Sequence, residues 1–183
     1  MLPPGHLGAA YLLTQINKRS SLKEVLLILL AGIILDFDIF LGIALNKSHH
    51  DLITHTPFGA IIVWLILIFI FSKSLSRLGK VLVLASLFLH LILDEAGYWL
   101  YSLGLQSIIS QPQISWLYPL KPLLNRSTFS SFYSICSFVW IYLNNAGVNV
   151  LLEIILFLTA LIMFILNKCP RRKSGNQSQI TSD

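Results

Sequence analysis

From Val25 to Leu35 the chain runs eleven residues without a polar side chain, VLLILLAGIIL, and past Asp36 and Asp38 it stays apolar to Leu45. A stretch of this length and greasiness has few places to go. Crossing a hydrocarbon core about 30 Å thick takes roughly 20 apolar residues in a helix, and inside lipid only a helix or a closed barrel satisfies its own backbone. Glu24 to Leu45, Pro57 to Ser72, Val81 to Leu103 and Val148 to Leu166 all have this character. The expected fold is therefore all-α: a polytopic membrane helical bundle of about four transmembrane helices, with short re-entrant or interfacial helices beside them.

Composition agrees, with 55% hydrophobic residues, 11% charged residues and a mean hydropathy of +0.75 over 183 residues, far from the averages of a soluble domain. MLPPGHLG carries no positive residue ahead of an apolar core and no small-residue cleavage site, so targeting is expected to fall to the first span. Cys136 and Cys169 are too isolated for a disulfide framework or a thiolate zinc knuckle.

A net charge of +5 invites thoughts of nucleic acid, but the basic residues mark topology instead. Lys18, Arg19 and Lys23 precede the first span, Lys73, Arg77 and Lys80 join the second to the third, and Lys168, Arg171, Arg172 and Lys173 follow the last. With four spans these ten of the thirteen basic residues share one side, which the positive-inside rule makes cytoplasmic. No nucleic-acid partner is expected; membrane lipids are. The segment 129–143 is short and aromatic, and reads as an interfacial or partly inserted helix, because as a full span it would turn the KCPRRK tail outside. Residues 1–167 form one integral membrane domain on this reading, and 168–183, rich in Ser, Gln and Asn, a disordered cytoplasmic tail.

No internal repeat, glycine-rich phosphate loop, HExxH or GxSxG pattern occurs. The chemistry must come from the polar minority. Of five histidines, three stand in HHDLITHTPFG, residues 49–59; His6 lies in PPGHLGAAY and His90 in LHLILDEAGYW. Acids fall beside them: Asp36 and Asp38 in LDFD, Asp51 after His50, Asp94 and Glu95 after His90.

Depth tests whether these groups can meet. At a rise of about 1.5 Å per residue, Asp36 lies roughly 20 Å above Lys23, His90 about 15 Å and Asp94 about 21 Å above Lys80, and His55 some 27 Å above Lys73. A short helix descending over residues 6–17 brings His6 in at about 18 Å above Lys18, and Glu153, the one C-terminal acid within reach, comes out roughly 22 Å above Lys168. All fall in one slab in the outer half of the bilayer, where ionisable groups are costly and normally pair, line water or bind something. His90 and Asp94, four apart, share a helix face. Asp36 and Asp38, two apart, do not, unless the helix is distorted between Gly32 and Gly42. His50 and His55 sit where a loop can turn both inward. Mixed imidazole and carboxylate ligation suits Zn²⁺, with Mn²⁺ or Fe²⁺ as alternatives. His49 is read as a solvated histidine, Asp51 and Glu95 as solvent or interface residues, and Tyr98, Trp99, Tyr101, Trp116 and Tyr118 as an aromatic belt, with the SWLYPL aromatics an alternative lining for a substrate entrance.

The succession GH near the N-terminus, LDFD in the first span, HxxxxH with Thr before its second His, LHxxxD and then WLYPL resembles the YdjM family of inner-membrane proteins assigned as metal-dependent hydrolases, over roughly residues 5–122. The resemblance implies metal-site roles for His6, Asp36, Asp38, His50, His55, His90 and Asp94, with Asp36 or Asp38 as bridging ligand or general base. Where the family often continues with His and Arg-Gly, this chain has Ile39 and Asp51-Leu52. The order of ligands is also distantly similar to zinc-dependent phospholipase C and zinc single-strand nucleases, which hold three metals; with no histidine after His90, one or two ions are expected here. The expected activity is hydrolysis of a phosphoester, such as a lipid headgroup, at the outer side of the inner membrane. Two other classes use the same residues: an ion- or proton-coupled transporter subunit, and a scaffold whose polar cluster only holds helices together. The sequence leaves the oligomeric state open.

Overall fold

The computed structural model describes residues 2–45, 47–105, 110–123, 132–145 and 147–168. Among them there is no strand; the helices are α1 (Pro3–Thr14), α2 (Leu22–Ile33), α3 (Asp38–Leu45), α4 (Pro57–Phe71), α5 (Arg77–Ser102), α6 (Phe132–Asn145) and α7 (Gly147–Lys168), with short 3₁₀ turns between several of them. Four helical stretches are long and apolar enough to cross a membrane: Leu22–Leu45, Pro57–Ser74, Arg77–Ser102 and Gly147–Asn167. These match the four expected spans, and the all-α membrane bundle stands. α1, at 12 residues about 18 Å long, is too short to cross. So is α6 at 14 residues. Of the tail 168–183, expected to be disordered, Lys168 is the last residue of α7; residues 169–183, like 124–131 before α6, lie outside the described residues.

Helix starts are written in the sequence. Ser21 caps α2 by accepting from Glu24 N, Thr56 caps α4 from Gly59 N with Pro57 at the first helical position, and Ser76 caps α5 from Gly79 N. α5 is the most enclosed span, with α2 and α4 on it and α1 lodged against α7, α2 and α5. The apolar core runs through Ile28, Ala31, Leu35, Ala60, Val83, Leu87 and Leu91. The outer faces are apolar as well: Phe69 is 87% exposed, and Leu65 and Ile165 also point away from the core, as surfaces meant for hydrocarbon do. Close approach of α1 to α2 depends on Gly32, where a Cβ would stand 2.6 Å from Ala10 Cβ.

Both ends of the bundle are identifiable from hydrogen bonds. Glu24 at the start of α2 accepts from Asn17, Ser20 and Ser76, and Asn167 near the end of α7 donates to Gln15. Lys18, Arg19, Lys23, Lys73, Arg77, Lys80 and Lys168 therefore gather at one end, as their spacing predicts. Asp36, Asp38, His55, His90 and Asp94 lie toward the other.

Candidate metal centre

The first span is broken where its aspartates fall. α2 ends at Ile33, a 3₁₀ turn covers Ile34–Phe37, and α3 begins at Asp38. Tightening from 3.6 to about 3 residues per turn resolves the two-residue spacing that a regular helix would splay apart, so both carboxylates reach the histidines. HHDLITH folds as two consecutive 3₁₀ turns, His49–Asp51 and Ile53–His55, ending on the Thr56 cap. The loop folds tightly over the start of α4 at Gly59, where a Cβ would stand 1.9 Å from Ile53 O. His90 and Asp94 project from one face of α5, and α1 delivers His6.

The side chains meet in one buried layer. His90 Nε2 lies 3.4 Å from His55 Nε2, 3.2 Å from Asp94 Oδ2 and 3.7 Å from Asp36 Oδ1, and His55 Nε2 is 3.5 Å from Asp94 Oδ2. His6 Nε2 is 3.0 Å from Asp94 Oδ1, and its ring stacks on His90 at 3.8 Å between centroids. His50 meets His55 edge-on at 4.9 Å, with His49 against both. The seven expected residues, His6, Asp36, Asp38, His50, His55, His90 and Asp94, thus come together.

Hydrogen bonding fixes which nitrogens face inward. The carbonyl of Gly32 can only accept, so His90 Nδ1–H donates to it at 2.8 Å. His55 Nδ1–H donates to Asp38 Oδ2 at 2.6 Å, and Thr54 Oγ1 donates to the same oxygen. Each ring therefore turns Nε2 toward the centre, the carboxylate–histidine and carbonyl–histidine arrangement that orients metal ligands. What Nε2 meets is another Nε2 and two carboxylates. Burial alone lowers the His55 pKa, but hydrogen bonds to Asp38 and Asp94 outweigh it and push it up to about 9: without a metal, a proton supplies the missing positive charge. His49, which burial and the neighbouring His55 charge lower to about 4, and His50, lowered further by burial and His49, stay neutral and able to donate a lone pair.

Among the described residues, three groups have ligand atoms within 4.8 Å of one another: His49, His50 and His55; His6, His90 and Asp94; Asp36, His55 and His90. Around a divalent ion with ligands at about 2.1 Å, tetrahedral ligands stand about 3.4 Å apart. Four of the six separations among His55 Nε2, His90 Nε2, Asp94 Oδ2 and Asp36 Oδ1, at 3.2–3.7 Å, bracket that edge. His6 Nδ1, His50 Nδ1, Asp36 Oδ2 and Asp38 Oδ1 are buried atoms with no hydrogen-bond partner, an expensive condition that a cation relieves. These residues fit a metal ion.

Several expectations are corrected. His49 is packed against His50 and His55 rather than simply solvated. Asp51 is buried on the same loop, a consequence of the two 3₁₀ turns that a linear reading of HHD does not disclose. Glu95 is not a solvent residue either: it is 2% exposed and accepts from Gln113 N and Ile114 N at 2.7 and 2.8 Å, pinning that loop to α5. Glu153 stays out of the cluster, accepting from Leu2 N at 2.9 Å and Tyr142 Oη at 2.6 Å. Trp116 packs against the apolar core, and Tyr118 meets Phe58 beside the loop. Thr54 went unselected in the sequence, although its place beside His55 in a short polar run was the available signal.

No family model, curated protein or solved structure matches the chain. The YdjM-like resemblance accordingly rests on its motifs alone. The chain is a membrane-type helical bundle with buried histidine and aspartate groups that could hold a metal ion.

Proposed function

We propose that the protein is a membrane-bound, metal-dependent hydrolase of the YdjM type, acting on a phosphoester in a lipid headgroup at the outer half of the inner membrane. The observation that carries this reading is the convergence of His55 Nε2, His90 Nε2, Asp94 Oδ2 and Asp36 Oδ1 at 3.2–3.7 Å. Acceptors crowded together in a buried layer need a positive charge among them, which a bound cation would supply. The mixed imidazole and carboxylate donors favour Zn²⁺, with Mn²⁺ or Fe²⁺ next. The gathering of seven basic residues at the far end supports an outer-side site by the positive-inside rule.

The bound ion would supply a water of lowered pKa and charge to stabilise the phosphoryl oxygens. The protein's own residues do the rest. Asp36 is the least buried of the carboxylates facing the histidines, with a side chain 20% exposed and Oδ2 without a partner; it takes the proton from the attacking water. Asp38, held by His55 and Thr54, orients the imidazole. The water oxygen bonds to phosphorus, the P–O ester bond breaks, and the proton passes to the departing alcohol, so the reaction needs no other reactant.

The test is hydrolysis of phospholipid vesicles and of a soluble phosphodiester by detergent-purified protein. Turnover that is abolished by a chelator, restored by Zn²⁺ or Mn²⁺ and absent from Asp36→Asn supports the reading. A metal-loaded protein that hydrolyses neither refutes it.

A further inference from the structure

The ligand groups share residues, and the sharing limits how they fill. His55 and His90 each commit Nδ1–H to a protein acceptor, which leaves one lone pair apiece, on Nε2, for one cation. The group Asp36, His55 and His90 spends both. The other two, His49 with His50 and His55, and His6 with His90 and Asp94, have no residue in common and can be filled together. We propose that the centre takes two divalent cations, an inner one on His6, His90 and Asp94 and an outer one on His49, His50 and His55. The proposal rests on the metal-centre reading above and extends it to the number of ions.

Two observations favour two ions over one. With a single ion on His55, His90, Asp94 and Asp36, the His6 and His50 imidazoles beside it each keep a buried nitrogen without a hydrogen-bond partner. His6 is 1% exposed and keeps Nδ1 unpartnered; whichever nitrogen carries its proton, Asp94 satisfies only one side of the ring. His50 Nδ1 is likewise buried and unpartnered. Neither condition is cheap to maintain. Charge points the same way. Asp36, Asp38 and Asp94 face the histidines, and one divalent cation among three carboxylates leaves the site net negative, hostile to an anionic phosphoester. Two make it net positive; with the buried Asp51 counted, two neutralise it and one leaves it doubly negative. The two groups also adjoin, since His55 Nε2 of one and His90 Nε2 of the other face each other at 3.4 Å, so ions held on them would be neighbours.

The experiment is Mn²⁺ loading of the detergent-purified protein, read by elemental analysis and electron paramagnetic resonance. Wild type is expected to hold two equivalents, spin-coupled, without the resolved hyperfine pattern of an isolated Mn²⁺. The double variant His49→Ala with His50→Ala, checked for native helicity, is expected to hold one, with the isolated pattern restored; His6→Ala should likewise lose the coupled signal. One equivalent in wild type, unchanged in the double variant, overturns the two-ion filling while leaving a metal centre in place. Two equivalents that are uncoupled, or that survive His49→Ala with His50→Ala, also overturn it, and the wild-type spectrum decides even if a variant misfolds. No bound Mn²⁺ or Zn²⁺ defeats the metal centre itself.

Discussion

Two sets of buried carboxylates in the same bundle are treated in opposite ways. At the basic end Glu24 is 4% exposed, and Oε1 accepts from Asn17 Nδ2, Ser20 Oγ and Ser76 Oγ at 2.9–3.1 Å while Oε2 accepts from Ser76 N. Glu95 and Glu153 are served in the same manner by backbone N–H groups and Tyr142. Every glutamate in the chain is thus surrounded by donors. At the other end Asp36, Asp38 and Asp94 face imidazoles whose inward nitrogens carry lone pairs or share protons, and oxygens of Asp36 and Asp38 have no partner. Burial of a carboxylate does not by itself mark a site. What separates a clasp from a ligand is whether the surroundings already supply each oxygen with hydrogen-bond donors.

That contrast can be broken in three places. The largest effect is expected from chelation. Stripping the metal should lower the thermal midpoint of the detergent-solubilised protein, by the equivalent of about 4 kcal/mol when the metal was present at 1,000 times its dissociation constant. The Glu24 clasp should be indifferent to it, so wild type and Glu24→Gln should lose the same increment in a melting series with and without chelator. Equal midpoints with and without metal would erase the distinction between the two ends. Next, Glu24→Ala strands the Asn17, Ser20 and Ser76 donors and should cost about 1–3 kcal/mol with metal content unchanged. Loss of metal from that variant would mean the ends are coupled. The smallest effect is expected at Asp38→Asn, which weakens the hold on His55 Nδ1–H without removing a ligand. Metal affinity should fall about 10–100-fold, measured by competition with a chromophoric chelator, while helicity stays native.

Legibility followed the same divide. Helical rise from basic anchors placed His6, Asp36, His55, His90 and Asp94 in one layer because spans are straight and their ends are pinned by charge, so depth is arithmetic. The break at Asp36 was legible only as a condition: both aspartates could serve if the helix were distorted, and the 3₁₀ turn Ile34–Phe37 is that distortion. Loop geometry was not legible. Whether His49, Asp51 and Thr54 turn in or out depends on two 3₁₀ turns folded over Gly59, a tertiary fit that composition does not encode. Glu95 was misjudged for a related reason. Its partners are the backbone of residues 113 and 114, some twenty positions on, and backbone donors leave no trace in a sequence. Glu24 stood at a span boundary, where a charged residue looks like a solvated end rather than the centre of a clasp.

On the proposed function the aspartate and histidine layer is built around a cation. Metal content of detergent-purified protein, after reconstitution with Zn²⁺ or Mn²⁺, tests it most directly, with His55→Ala, the double variant His90→Ala with Asp94→Ala, and Glu24→Gln measured beside wild type. Stoichiometric metal is expected in wild type and Glu24→Gln, and its loss from the other two while they keep native helicity. Wild-type protein that binds no metal would contradict it and leave the cluster as a device for holding helices together or for relaying ions.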